Sequence, residues 1–109
     1  MKKIVYLSAL MMIVAMPAFA ADPKTYEITI KDHLFSPAEI KVPANEPAIL
    51  HVKNLDSTPE EFESHSLKIE KIIAGNSEAK IRLRPVEAGS YKFEGEFNPK
   101  TAQGMIIAE

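Results

Sequence analysis

Along this chain, apolar residues recur at every second position in short runs separated by Pro, Gly and Asn. Tyr26 to Lys31 places Ile28 and Ile30 on one face, and Glu39 to Val42 places Ile40 and Val42 together just ahead of Pro43. Pro47 to Asn54 sets Leu50 and Val52 against Ile49, His51 and Lys53. His65 to Ile72 turns Leu67 and Ile69 inward, Glu78 to Arg84 turns Ile81 and Leu83 inward, and Ser90 to Gly95 does the same with Tyr91 and Phe93. Met105 to Ala108 makes a last short strand. Period two is the mark of a half-buried strand, because successive side chains leave a pleated strand on opposite faces. Turn-forming residues fill the gaps at Ser36-Pro37, Pro43 to Pro47, Thr58-Pro59, Gly75-Asn76, Pro85 and Gly89. Beyond the first 20 residues no segment of useful length has a helical period, although Thr58 to Phe62 suffices for one turn. The pattern predicts an all-β fold, an antiparallel Greek-key β-sandwich of about seven strands.

The N-terminus follows a different rule. Lys2 and Lys3 precede an apolar run from Ile4 to Met16 and the small-x-small triplet Ala18-Phe19-Ala20. This is the pattern of a secretory signal peptide cleaved after Ala20, and the run is shorter than the ~20 apolar residues of a spanning helix. The expected division is a signal peptide at 1–20 and one domain at 21–109, with no membrane insertion after cleavage. With no lipobox Cys after the cleavage point, the expected product is a freely soluble periplasmic protein.

Removing 20 of 109 residues leaves 89, enough for one small core and no second domain. The chain has no Cys, so disulfides, thiolate ligands and thiol catalysis are excluded. Without Lys2 and Lys3, 11 Lys and Arg face 15 Asp and Glu, a net charge of −4 with His neutral. That balance disfavours nucleic acid and anionic membrane surfaces and suits cations. No nucleophile elbow, phosphate-binding Gly loop, His-Glu-x-x-His or Cys-pair zinc motif is present.

The last nineteen residues, Tyr91 to Glu109, resemble the ligand loop of blue-copper proteins with its ligands replaced. In that frame an aromatic-x-aromatic-x-Cys strand precedes a loop bearing a His and a Met, then a Gly and a final strand. Gly95 stands in place of the Cys, Asn98 in place of the His, and Ala102 or Gln103 in place of the Met. Phe35-Ser-Pro37, Ile40 to Asn45, Asn54-Leu-Asp56, Glu61 to Ser64, Pro85 to Gly89 with Tyr91, and Gly95 to Gly104 extend the likeness over the whole domain. Together they resemble small cupredoxin-like periplasmic proteins associated with bacterial iron permeases, similar to the N-terminal cupredoxin domain of EfeO-type proteins. The resemblance implies a role in supplying ferrous iron, or handling copper, for an inner-membrane iron permease and its associated periplasmic iron-binding protein. It also implies that the carboxylates of the Glu61-Phe62-Glu63 segment are metal ligands.

In copper-binding cupredoxins the first His ligand opens, from the core-facing side, the strand after an Asn-ended one. Counting back by twos from Leu67 and Ile69 reaches His65, Glu63 and Glu61, which places all three inward at the end of the sandwich, with Glu63 nearest that ligand position. A buried carboxylate there needs a metal, a Lys or Arg, or partial exposure at the rim. Asp56, Glu60, Glu61 and Glu63 concentrate negative potential in eight residues at the end shared with the Glu94 to Gly104 loop. Glu94 and Glu96 have the parity opposite to Tyr91 and Phe93 and face outward; Glu96 is a secondary candidate ligand. His33, in the loop before Phe35, is placed to complete a site, whereas His51 faces solvent and Met105 is packed rather than coordinating.

The metal candidates are therefore Glu61, Glu63, His65, Glu96 and His33, with an iron or copper ion as the expected ligand. The expected function is to receive or present that ion in permease-linked iron uptake. Two other readings stand beside it: a copper-dependent ferroxidase or electron-transfer component, against which the missing Cys and Asn98 count, and a metal-free periplasmic adaptor.

Overall fold

The structure is a computed structural model that describes residues 3–4 and 22–109. The expected signal peptide and its cleavage point lie almost wholly outside the described residues. The domain is a sandwich of two sheets, and the described residues contain nine strands and no helix. They are β1 (Lys24–Lys31), β2 (Leu34–Ser36), β3 (Glu39–Val42), β4 (Ala48–Asn54), β5 (Glu60–Ser64), β6 (Ile69–Ile73), β7 (Ser77–Leu83), β8 (Gly89–Gly95) and β9 (Gln103–Ala108). One sheet runs β2-β1-β4-β7 and the other β3-β9-β8-β5-β6.

The sheets are mixed rather than purely antiparallel: β1 pairs with β4, and β3 with β9, in parallel. The inward positions predicted by alternation are the core, with Ile28, Ile30, Leu50, Val52, Leu83 and Phe93 all at most 1% exposed. Phe35, Phe62 and Phe93 meet between the sheets. Phe62 and Phe93 stack at 4.8 Å, and Phe35 stands edge-on to each. Such offset and edge-to-face contacts are the favoured aromatic geometries.

Two of the nine strands, β2 and β5, are not expected from the sequence, and β5 carries the candidate site. The three-residue β2 is too short to carry an alternation signal. β5 takes in Glu60 to Phe62 of the segment that suffices for one helical turn, Thr58 to Phe62, and its residues are buried on both faces. The expected strand from His65 to Ile72 begins only at Ile69, because residues 65–68 form a tight turn closed by Lys68 N–H to His65 O at 3.3 Å. Lys68 takes φ 55° there, so the chain reverses between β5 and β6. Leu67 is nevertheless fully buried, and its N–H reaches Ser64 Oγ at 3.4 Å.

Candidate metal centre

Phe62 fixes the orientation of β5. Its ring fills the core, so its neighbours Glu61 and Glu63 point out of the opposite face of the five-stranded sheet. This corrects the inward placement of Glu61, Glu63 and His65: parity counted from Leu67 does not survive the turn at 65–68. Glu94 and Glu96 do face outward as their parity predicts. The two sets of acids therefore share one face.

Register brings them together. Glu63 on β5 lies directly opposite Glu70 on β6 and Glu94 on β8. Like charges in cross-strand register repel, and here three stand in a row. Glu96 follows β8 and is held alongside by its N–H to Glu61 O at 2.9 Å. Glu61, Glu70 and Glu96 each offer an oxygen, all within 4.8 Å of one another, and Glu63, His65 and Glu94 form a second such group. His65 Nε2 is 3.3 Å from Glu63 Oε1. The two outward carboxylates of β5 are nearly inaccessible, Glu61 at 8% and Glu63 at 9% exposure, yet Glu61 Oε1 and Glu63 Oε2 are buried with no hydrogen-bond partner among the described residues. Buried polar atoms are rarely left so, and an oxygen among carboxylates needs a proton or a cation.

The titration behaviour agrees with that need. The Glu61 carboxyl is pushed up from an ordinary 4.5 to about 7, chiefly by hydrogen bonding to Glu70, then by burial and by Glu96. Glu63 is raised as well, first through hydrogen bonding to Glu96 and then by burial. Glu96 is lowered because it accepts from both of them. Protons and a metal ion therefore compete for the same carboxylate oxygens.

His33 joins neither group. Asp32 and His33 take φ 53° and 58°, and this turn aims both N–H groups at the Asp56 carboxylate, at 2.8 and 3.0 Å. The His33 N–H bond is the largest cause holding Asp56 below the ordinary carboxylate range. His33 Nδ1 also lies 3.5 Å from Asp56 Oδ2. Asp56 is thus a turn clamp, and His33 lines a hollow with Phe97 to Thr101 at the other end of that contact. His51 keeps its outward parity but is largely covered, 3.4 Å from Glu78 Oε1.

The blue-copper frame is preserved in space and filled by protein. Asn54 ends β4 and organises the next loop, donating from Nδ2 to Thr58 O, Ile73 O and Ala74 O. The residue that then opens β5 from the core side is Glu60, not Glu63, and it is 1% exposed. Its Oε1 accepts from Glu61 N–H at 3.0 Å and Phe97 N–H at 2.9 Å, and its Oε2 accepts from Asn98 Nδ2 at 2.7 Å. A Cβ at Gly95 would lie 2.6 Å from both Glu60 Cδ and Ala102 Cβ. The four frame positions therefore converge, but on a hydrogen-bonded carboxylate in the space of a metal and its thiolate. These residues do not fit the thiolate copper site. The Pro59-Glu60 step after an Asn-ended strand was the sequence signal for Glu60; alternation around Phe62 gives the same parity.

One optical prediction follows. Purified protein with one equivalent of cupric ion should show only the weak visible absorption of nitrogen and oxygen ligands, since an intense blue band requires a Cys thiolate. An intense charge-transfer band would overturn this account of the frame.

Comparison with known proteins agrees with the architecture. A protein of Rickettsia prowazekii (strain Madrid E), the uncharacterized protein RP394, is 46% identical over 81 residues; the match covers 74% of this chain and 65% of the relative, so the chain spans about two thirds of its length. The metal-binding domain of the Cu(I)-exporting P-type ATPase CopA of Streptococcus pneumoniae D39, solved with Cu(I), is similar at a TM-score of 0.68 and 20% identity, over 81% of this chain and 88% of that one. Auracyanin A, a blue copper protein of Chloroflexus aurantiacus, is similar at a TM-score of 0.68 and 15% identity, over 80% of this chain and 99% of that one. At those identities the likeness is one of fold. The model of the cupredoxin-like domain matches residues 4–108, and the chain belongs to the cupredoxin-like domain family.

Proposed function

We propose that this chain binds a transition-metal ion on the outer face of its five-stranded sheet and receives or presents that ion, iron first, in permease-linked uptake. The observation that carries the reading is the pair of carboxylates on β5, each about nine-tenths buried and each with an oxygen that has no donor. Leaving a covered carboxylate oxygen without a donor or cation is unfavourable. Cation binding on this face supplies the missing partners of Glu61 and Glu63, with Glu70, Glu94 and Glu96 alongside.

Oxygen donors suit iron and manganese, and the His65 imidazole extends the range to zinc and cupric ion. Copper is accordingly the second metal, and the similar copper-binding structures support it at the level of fold. The permease partner, its associated periplasmic iron-binding protein and the periplasmic location rest on the sequence resemblance and on the leader-like N-terminus.

Anaerobic calorimetry with ferrous ion tests the reading. Glu63→Gln should weaken binding by about 10-fold or more, the scale on which changes around a metal act. Glu39→Gln, on an exposed position of β3, should leave affinity unchanged. Equal affinities for the two variants would remove Glu63 from the site, and no binding by the unaltered protein would leave the metal-free adaptor in front.

A further inference from the structure

We propose that the outer face holds two ions at adjoining positions with different ligand chemistry. The inference rests on the metal-binding reading above and adds to it the number of ions and what each position selects.

Each position is built around one buried carboxylate of β5. Glu61 has an unpartnered buried oxygen and gathers Glu70 from β6 and Glu96 from the segment after β8, an all-oxygen set. Glu63 has another such oxygen and gathers His65 from the turn and Glu94 from β8, a set with one imidazole. Glu61 and Glu63 are two residues apart on the same face of one strand, which separates their Cα atoms by roughly 7 Å. Their ligand atoms fall into two separate groups, each with its members within 4.8 Å of one another, and each group is the size that one ion can span with metal–ligand bonds of ~2.0–2.6 Å. The side chains of Glu63 and Glu96 meet across the gap between the groups. Two cations there would be shielded from each other by carboxylates on both sides.

The remaining neighbours do not neutralise the second position. Lys92 lines the hollow formed with Glu63, His65, Ser66, Phe93 and Glu94, but it makes no ion pair among the described residues. His65 is 82% exposed, so its ring is free to turn onto an incoming ion while Glu63 stays fixed. By ligand softness the all-oxygen position favours manganese or ferrous ion, and the imidazole position favours cupric, zinc or ferrous ion.

Manganese(II) and cupric ion separate the two positions in one sample. With one equivalent of each, the unaltered protein should bind both. The cupric electron paramagnetic resonance spectrum should carry hyperfine structure from one imidazole nitrogen and be broadened by the nearby manganese. His65→Ala should abolish the nitrogen signature and weaken cupric binding at least 10-fold while leaving manganese affinity unchanged. Glu70→Gln should weaken manganese at least 10-fold and leave the cupric spectrum intact. Both residues are exposed, so neither change removes a core contact. Displacement of manganese by the single equivalent of copper, or equal losses of both ions in His65→Ala, would overturn the two-position proposal while sparing the metal-binding function. Binding of only one of the two ions by the unaltered protein would overturn the two-position proposal alone, and failure of both ions to bind would overturn the metal-binding function with it.

Discussion

Glu60→Ala, measured in chelator, should lower the unfolding free energy by about 3 kcal/mol, the scale for losing a charged acceptor from several buried donors. In a domain of this size that corresponds to a fall in Tm of about 15 °C. The change strips the acceptor from Phe97 N–H, Glu61 N–H and Asn98 Nδ2 together. It also empties the space against which Gly95 and Ala102 pack. Glu60→Gln should be far milder, near 1 kcal/mol, because its amide oxygen keeps one acceptor and the Asn98 amide can rotate to receive its NH2. The proposed metal positions lie on the other face of β5, so ferrous affinity should be little changed in Glu60→Gln. A Glu60→Ala variant as stable as the unaltered protein would show that the carboxylate does not tie these loops together.

The Glu60 contacts also explain how this family frame persists without its metal. In a thiolate site the ion cross-links the strand after the Asn-ended one to the last loop. Here a carboxylate from the same strand cross-links the same loop by hydrogen bonds, and Gly95 is small because the carboxylate needs the room. The departures at Gly95, Asn98 and Ala102 were visible in the sequence. What filled the space was not, because Glu60 reads as one acid in a run of four until β5 is known to be a strand.

The sandwich was legible because most of its strands alternate and are bounded by turn-forming residues, although β6, with a burial pattern that does not alternate, answers only to the second half of the strand expected there. The candidate ligands were legible as residue types, and their outer-face meeting was not. Parity can be carried only along an unbroken strand, and the turn at 65–68 separates Leu67 from Glu63. Phe62, a large apolar residue flanked by acids, held the correct signal: its burial sends Glu61 and Glu63 to the face of Glu94 and Glu96. Glu70 escaped notice because its approach to Glu61 depends on the register of the β5–β6 hairpin, which the turn sets. His33 was placed near the right loop, but the paired left-handed residues Asp32 and His33 commit that turn to Asp56.

The metal-free protein should become less stable as pH rises from 5 to 8, and metal should reverse the trend. Glu61 is raised in the folded state from 4.5 to about 7, so the stability it contributes is complete below about 4.5 and is lost as pH rises through about 7. Glu63, also raised, acts in the same sense. Glu96 is lowered; its contribution is complete above its ordinary range and is lost only as pH falls below it, so it leaves the window from 5 to 8 to the other two. A cation binds the deprotonated carboxylates, releases the shared protons and stabilises only the folded state. The gap in Tm between ferrous-loaded and chelator-treated protein, both anaerobic, should therefore be small at pH 5 and large at pH 8. Glu61→Gln should flatten the metal-free slope and shrink the gap at pH 8. Raising salt should change the result little if the ion sits among buried oxygens, whereas attraction to an exposed acidic rim is screened within about 8 Å at physiological ionic strength. A gap that vanishes with salt, or a metal-free Tm that climbs from pH 5 to 8, would mean that the clustered acids are a solvated surface and not a site.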